Sequence, residues 1–439
     1  MYILHPEHIA QLIILAPFLS LLCIITSRVI HHQVNELFIK RCLAISQVIS
    51  IAASIFTCAV IFITSTTIHV FNVRMLGLST QDLAYSLLID STSALFVLMT
   101  CILGGIVGVF ASRYLHRDSG YFRFFILYHI FLLGIHSIFQ AAGLPTIYIG
   151  WELIGITSAL LISFFAFRKQ TVDNSLRAFW AYRITDSGML VATLLAMHEH
   201  IEQFDAPISH VPLLIPLACL LSAIGKSAQF PFGYWLPRAM EGPTPSSAIF
   251  YGGLSVHAGM YLMIRVSETY GLPLTVSILM VIIGAVSVWY GTAIGRIQSD
   301  AKSRLAYASM AQLGLMFIEV GLGLNNLAIF HFVSHAMLRT YQLLNASSLL
   351  HDRYAFEHVL GRENVSFHPI NSDRAHAQYA YAFWESVGGF LGRFSLLELA
   401  DLTSRAVRTF EEWLSSALFH AARFLNFYAS HPTKKINRL

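Results

Sequence analysis

Gly225-Lys226-Ser227-Ala228-Gln229-Phe230-Pro231 places a lysine inside an apolar segment and ends that segment with proline. The flanks are strongly hydrophobic, Val211 to Leu221 before it and Phe230 to Leu236 after it. A charge in such a setting sits at membrane depth, where a lysine costs roughly 2.5–3.5 kcal/mol on insertion scales. Proline has no N–H and cannot continue the helical ladder. A break at that depth frees backbone groups, which is tolerated only where protein or a watery cavity covers them. The stretch therefore points to a membrane protein with a functional charge in a broken helix.

The rest of the chain agrees. Of its 439 residues 56% are hydrophobic and only 12% charged, half the charge of a soluble domain, which carries about 25%. Eleven apolar segments are each long enough to span, near 9–27, 42–66, 90–112, 121–140, 145–167, 178–198, 211–235, 246–266, 272–294, 304–324 and 326–350. A span needs about 20 residues to cross roughly 30 Å of hydrocarbon. The expected fold class is all-α: a polytopic helix bundle of eleven spans, broken at segment seven, with a C-terminal amphipathic helix.

Basic residues cluster in alternate loops: Arg28, Lys40 and Arg41; Arg113, Arg117 and Arg123; Arg168, Lys169 and Arg177; Arg296, Lys302 and Arg304. The loop after segment six is acidic, with Glu199, Glu202 and Asp205. The positive-inside rule then places the odd-numbered loops in the cytoplasm, the N-terminus outside and the C-terminal tail inside. The opening residues have no basic n-region, so no cleavable signal peptide is expected.

The five cysteines, Cys23, Cys42, Cys58, Cys101 and Cys219, show no metal-ligand spacing and read as small core residues. No metal site, iron–sulfur, haem, nucleotide or flavin motif is present, so no cofactor and no electron transfer are expected. The small net charge of +4 gives no sign of nucleic-acid binding. From His351 onward the chain changes character. Residues 351–376 are polar and histidine-rich, and Ala380 to Leu391 is apolar but short. Residues 395–428 set Leu396, Leu399, Val407, Phe410, Leu414, Ala421 and Leu425 against Glu398, Asp401, Arg405, Arg408 and Glu412 at helical spacing. That helix either lies on the membrane lipid or docks a partner subunit; both readings stand.

Several further polar groups lie within the spans: Asp90, Glu152, Arg183 with Asp186, His257, Glu319, and His331, His335 and Arg339. Arg183 and Asp186, three apart, share a helix face. His331, His335 and Arg339, spaced by four, form one stripe that either relays protons through water or satisfies itself and nearby backbone. Glu152 and Lys226 read as a pair. Burial and an opposite charge push a lysine's pKa in opposite senses, so a lysine alternating between paired and unpaired states exchanges a proton. The bland alternative is a structural salt bridge. His257 sits among small residues that admit water, and imidazole, titrating near pH 6.5, is a natural proton carrier; alternatively it hydrogen-bonds a carbonyl.

These residues form recognisable motifs. Asp90-Ser91-Thr92-Ser93, Gly150-Trp151-Glu152-Leu153-Ile154-Gly155, Arg177-Ala178-Phe179 with Arg183-Ile184-Thr185-Asp186, and Gly225-Lys226-Ser227-Ala228-Gln229 belong to the set. So do Trp235-Leu236-Pro237, Gly242-Pro243-Thr244-Pro245, Lys302-Ser303-Arg304-Leu305-Ala306-Tyr307 and His331-Phe332-Val333-Ser334-His335-Ala336. Over residues 85–350 the chain resembles the chain-5, antiporter-like subunits of respiratory complex I. The resemblance implies proton translocation with Glu152 and Lys226 as the coupled pair, His257 central, and His331 and His335 onward. It also implies tuning by Asp90, Arg183, Asp186, Glu319 and Arg339, and a helix broken at Pro231.

There are departures from the pattern. Arg339 stands where relatives usually carry lysine; arginine does not release its proton in proteins, so a fixed charge against Glu319 is expected instead. Tyr251 stands where histidine is common. The second repeat is expected to keep three of five helices. The implied organisation is 1–112 N-terminal helices, 113–271 first repeat, 272–350 shortened second repeat and 351–439 partner-docking tail.

Arg339-Thr340-Tyr341-Gln342-Leu343-Leu344 with Leu349-Leu350-His351-Asp352 resembles one branch in particular, the membrane subunit of the bacterial DAB inorganic-carbon accumulation complex. That resemblance implies a bacterial inner membrane and a large, zinc-dependent, carbonic-anhydrase-like partner supplying the catalysis, while this chain has no active site of its own. Two alternatives remain: an antiporter-like subunit of a complex I or membrane-hydrogenase type redox complex, and an inert assembly scaffold.

Overall fold

The computed structural model describes residues 5–31, 35–74, 84–204, 208 and 210–346. The tail expectations (351–376, Ala380 to Leu391 and the helix 395–428), together with Leu349-Leu350-His351-Asp352, lie outside the described residues.

Among the described residues, eleven helices lie at the eleven expected segments: α1 (Pro6–His31), α2 (Glu36–Thr64), α3 (Ser91–Tyr114), α4 (Tyr121–Phe139), α5 (Leu144–Ile162), α6 (Lys169–His198), α7 (Leu214–Lys226), α8 (Thr244–Thr269), α9 (Leu274–Arg296), α10 (Ala301–Gly321) and α11 (Asn325–Asn345). Seven of them, α1 to α5, α8 and α9, are long and apolar enough to cross a membrane. The other four are either short, as α7 with its 13 residues, or carry the polar groups singled out above. α2 and α9 turn much apolar surface outward, including Ile45, Val48, Ile63, Ile282 and Trp289, as lipid-facing helices do.

One element departs from the all-α expectation. Ile68–Arg74 (β1) and Ala84–Ile89 (β2) form an antiparallel ribbon. Its signal lies in Ile68-His69-Val70, where the outer two residues are buried and the middle one exposed, the period-two alternation of a half-buried strand. The ribbon covers the α4–α5 turn: Leu88 N–H donates to Gln140 O (2.6 Å) and Ala142 N–H to Ser86 O (3.0 Å). It also delivers Asp90 to the start of α3, where the carboxylate caps Ser93 N–H and the Ser93 hydroxyl accepts from Asp90 N–H, a reciprocal capping box. The expectation of five core cysteines holds for Cys58, Cys101 and Cys219, whereas Cys23 is exposed and Cys42 half-buried, because α1 and α2 pack on one side only.

Successive helices run up and down. One end of the bundle gathers the basic loops: His116 meets Glu36 there, and Arg168 pairs with Glu241 at 3.3 Å. The other end carries the ribbon, the Asp90–Arg265 pair (2.5 Å) and the Asn325–Ser267 contact.

Candidate functional site

α7 stops at Lys226, as Pro231 requires. Ala228 takes a left-handed φ of 51°, and the Phe230–Pro231 peptide is cis. Several of the polar groups at the break are met by protein. Gln229 N–H donates to Ile224 O (2.8 Å) and Phe230 N–H to Ser287 Oγ (2.9 Å), while the Trp235 indole N–H donates to Gly225 O (3.1 Å). The Gln229 amide donates to Ser227 O (2.8 Å), and the Ser227 hydroxyl to Val256 O (2.6 Å), which ties the break to the backbone just before His257.

Lys226 is fully buried. Its ammonium donates to Asp186 Oδ2 (3.4 Å) and Trp151 O (3.3 Å), and lies 4.4 Å from the Tyr182 ring centroid and 5.1 Å from that of Trp151. Cations over aromatic faces in a dry setting gain about 2 kcal/mol. Asp186, 2% exposed, accepts from the Trp151 indole (2.7 Å) on Oδ1 and shares Oδ2 with Arg183 Nη2 (3.1 Å). The other arm of the Arg183 guanidinium holds Glu152.

The four charges therefore form a chain, Glu152–Arg183–Asp186–Lys226. The expected direct pair of Glu152 with Lys226 is not made. The reason is local: Arg183 and Asp186 share a face of α6 and fill the space between α5 and α7. Two glycines allow that approach. A Cβ on Gly225 would lie 2.0 Å from Thr185 Oγ1, and one on Gly155 would lie 3.3 Å from Lys226 Nζ and 3.4 Å from Arg183 Nη2.

α8 is irregular where it passes this cluster. A π-helical stretch, Ala248–Gly253, leads into a 3-10 turn, Ser255–His257, before α-geometry resumes. π-turns often mark functional sites. His257 Nε2 meets His335 Nδ1 at 2.9 Å. One turn along α11, the His331 ring stands 6.2 Å from that of His335. His331 Nδ1 meets Glu319 (3.0 Å), and Nε2 meets Gln312 Oε1 (3.0 Å). One buried ring nitrogen, Nε2 of His335, has no hydrogen-bond partner among the described residues.

Arg339 does not meet Glu319; it donates to Gln342 at 2.9 Å. The α10–α11 turn explains this. Glu319 is within one turn of the end of α10, whereas Arg339 lies fourteen residues into α11, a rise of about 21 Å. Asp90, the remaining expected site residue, is apart from the lysine cluster at the ribbon end of the bundle, paired with Arg265. No group of three or more His, Cys, Asp or Glu side chains is placed to hold a metal ion among the described residues.

Comparison with known proteins decides the lineage. Residues 141–367 match the family described as NADH:quinone oxidoreductase/Mrp antiporter, transmembrane, and residues 76–125 match the N-terminus of chain 5 of NADH-ubiquinone oxidoreductase (complex I). The chain belongs to this antiporter-like subunit superfamily of complex I. It is 33% identical to the chloroplastic NAD(P)H-quinone oxidoreductase subunit 5 of Lemna minor over 283 residues, and 33% to that of Brachypodium distachyon over 285. Each match covers 62% of this chain and 38% of the relative, so the chain spans well under half the length of the curated relatives it matches. Its fold is similar to one in the Mrp complex from Dietzia sp. DQ12-45-1b (TM-score 0.66, 21% identity, 81% of this chain and 39% of that one). It is also similar to one in the membrane-bound sulfane sulfur reductase, an archaeal respiratory membrane complex (TM-score 0.65, 18% identity, 76% and 70%).

Within this antiporter-like subunit, sequence reasoning missed Trp151 and Tyr182, which wall in Lys226, Gln312, which meets His331, and Arg265, which meets Asp90. Gln312 and Arg265 were open to detection as polar residues inside or at the end of apolar segments. The two aromatics were not, since such residues ordinarily fill cores.

Proposed function

We propose that the chain is a proton-conducting membrane subunit in which Lys226 is the central switch. The observation that carries the reading is two runs of charged and titratable groups in the interior: the Glu152–Arg183–Asp186–Lys226 chain, and His257, His335, His331 and Glu319. Lys226 exchanges its proton while held by Asp186, and Arg183 transmits the state of Glu152 to that carboxylate. Each imidazole has one nitrogen that donates and one that accepts when neutral. In the His257–His335 pair the inner nitrogens share a hydrogen bond, so a proton arriving on His257 Nδ1 displaces one from His335 Nε2, toward His331 and Glu319. Asp90 and Arg339 hold fixed charges at the margins. On this reading the end with the basic loops faces the cytoplasm of a bacterial cell, and the organisation at 112, 271 and 350 follows the two repeats.

The finer proposal is that the flux drives a carbonic-anhydrase-like zinc protein bound at the cytoplasmic tail, accumulating inorganic carbon; the motif around Arg339-Thr340-Tyr341-Gln342 supports it. The second reading, a subunit of a redox-driven pump, is favoured by the quinone-oxidoreductase names of the relatives. Purifying the tagged chain with its partners separates them: a zinc protein supports the first and iron–sulfur subunits the second. For conduction itself, Lys226→Ala is expected to abolish proton flux in membrane vesicles while leaving assembly intact. Unimpaired flux reduces the chain to a scaffold.

A further inference from the structure

One buried charge takes no part in the transfers above. Arg339, on α11, is 7% exposed. A guanidinium has five N–H donors and keeps its proton in proteins. Among the described residues it makes one hydrogen bond, to the Gln342 side-chain oxygen at 2.9 Å, and its buried Nε has no partner. The carboxylates in ion pairs are committed elsewhere among those residues: Glu152 and Asp186 to Arg183 and Lys226, Asp90 to Arg265, Glu241 to Arg168 and Glu319 to His331. The groups that feel the Arg339 charge are instead His335, one turn earlier, and His257, across the contact with α8. A buried charge left without a counter-charge is costly.

The donors around it are arranged for a ligand. His335, Arg339 and Gln342, at spacings of four and three, share one side of α11. His335 is 5% exposed, and its Nε2 has no partner among the described residues, while Nδ1 is engaged with His257. Protonated imidazole donates from both nitrogens. The edge of a guanidinium presents two parallel N–H groups, which match the two oxygens of a planar oxyanion. A Cβ on Gly252, in the π-helical stretch, would lie 3.3 Å from the Arg339 carbonyl. α8 therefore closes on α11 at this level, and the arginine starts from inside the bundle. It stands six residues before the end of α11, about 9 Å, at the end of the bundle that carries the basic loops. Arg113, Arg117, Arg296 and Arg304 in those loops raise the local concentration of small anions.

We propose that Arg339 and His335 form a binding site for one small, planar, singly charged oxyanion of the carboxylate type, reached from the basic-loop end. The anion supplies the counter-charge that Arg339 otherwise lacks among the described residues. The site itself stands apart from the conducting role. If that role holds, the bound anion also lets His335 carry a proton beside a permanent cation.

The test uses the full chain in detergent, with isotope-labelled formate as the probe, at constant ionic strength. The parent is expected to broaden the formate resonance saturably. Arg339→Met is expected to bind at least tenfold more weakly, and its thermal midpoint to stay flat in a formate series that raises the parent's. Arg339→Lys keeps the charge without the planar fork and is expected to bind at least threefold more weakly, which covers the case of a Met variant that does not fold. Nitrate displaces formate at similar concentration, and spherical chloride only at tenfold more. Lys226→Ala binds formate as the parent does, which keeps a failure of the conducting reading apart from a failure of this one. Equal broadening by the parent and Arg339→Met, or by the parent and Arg339→Lys, overturns the site, as does no saturable broadening by the parent. Binding that appears only in the double variant Asp352→Asn/Glu357→Gln overturns the free-anion assignment, because a carboxylate of the chain itself then fills the place.

Discussion

Asp186→Asn is the substitution that separates the observed pairing from the one expected of a glutamate–lysine switch. It keeps the volume of the side chain and removes the one charge that touches both Lys226 (3.4 Å) and Arg183 (3.1 Å). At an effective dielectric of about 20, an ion pair at 3.4 Å is attracted by roughly 5 kcal/mol before desolvation is counted. Breaking one side of a buried pair costs about 3–5 kcal/mol, because the remaining charge stays buried without its partner. The lower figure already corresponds to more than about a hundredfold in the population of the paired, charged lysine. Glu152→Gln removes a contact to Arg183 alone, in a pair whose side chains are 28% and 22% exposed, where the cost is nearer about 1 kcal/mol. Proton flux in vesicles, normalised to the amount of assembled protein, is expected to fall at least tenfold further in Asp186→Asn than in Glu152→Gln. If Asp186→Asn retains flux within threefold of the parent while Glu152→Gln abolishes it, Glu152 is the working partner and the reasoning from the observed pairing is refuted.

Three further outcomes follow from the same geometry. Gly225→Ala forces a methyl onto Thr185 and prises α6 from α7; thermal unfolding in detergent is expected to show a loss of about 1–3 kcal/mol, and an unchanged midpoint would mean that the helices do not pack so closely. Asp90→Asn keeps the α3 cap but leaves Arg265 short of its charge partner, whereas Asp90→Ala also removes the cap, worth about 0.5–2 kcal/mol. Stability should fall in the order parent, Asn variant, Ala variant, and equal Asn and Ala variants would deny the capping role. His335→Gln keeps a polar side chain but ends proton exchange with His257; flux is expected to drop at least tenfold with stability nearly intact, and undiminished flux would remove His335 from the path.

The positions of the eleven helices, seven of them long and apolar enough to span, were legible because apolar run length is a property of the chain alone. So was the end of the helix that carries Lys226, since Pro231 marks where that helix must stop. Its partner was not. Which carboxylate meets the ammonium depends on how α5, α6 and α7 rotate against one another, and Gly155 and Gly225 set that by leaving room whose use appears only on packing. The Arg339–Glu319 expectation fails on a simpler count, for the rise along α11 already separates the two by several turns. The β-ribbon was readable in the alternation around Val70 but is brief beside long helical runs.

The length of α7 bears on where a transmembrane voltage would fall. Thirteen residues rise about 20 Å, so a helix of this length that starts at the edge of the hydrocarbon carries its lysine some two-thirds of the way through roughly 30 Å. Where water penetrates to that depth from the nearer face, the insulating layer is thinned, and the transmembrane voltage falls mainly over what remains. Moving one charge through the full drop is worth about 2.3 kcal/mol per 100 mV. In the conducting reading, the histidine run lies within that steep part of the field. In that reading the length of one short helix decides which proton step responds to voltage.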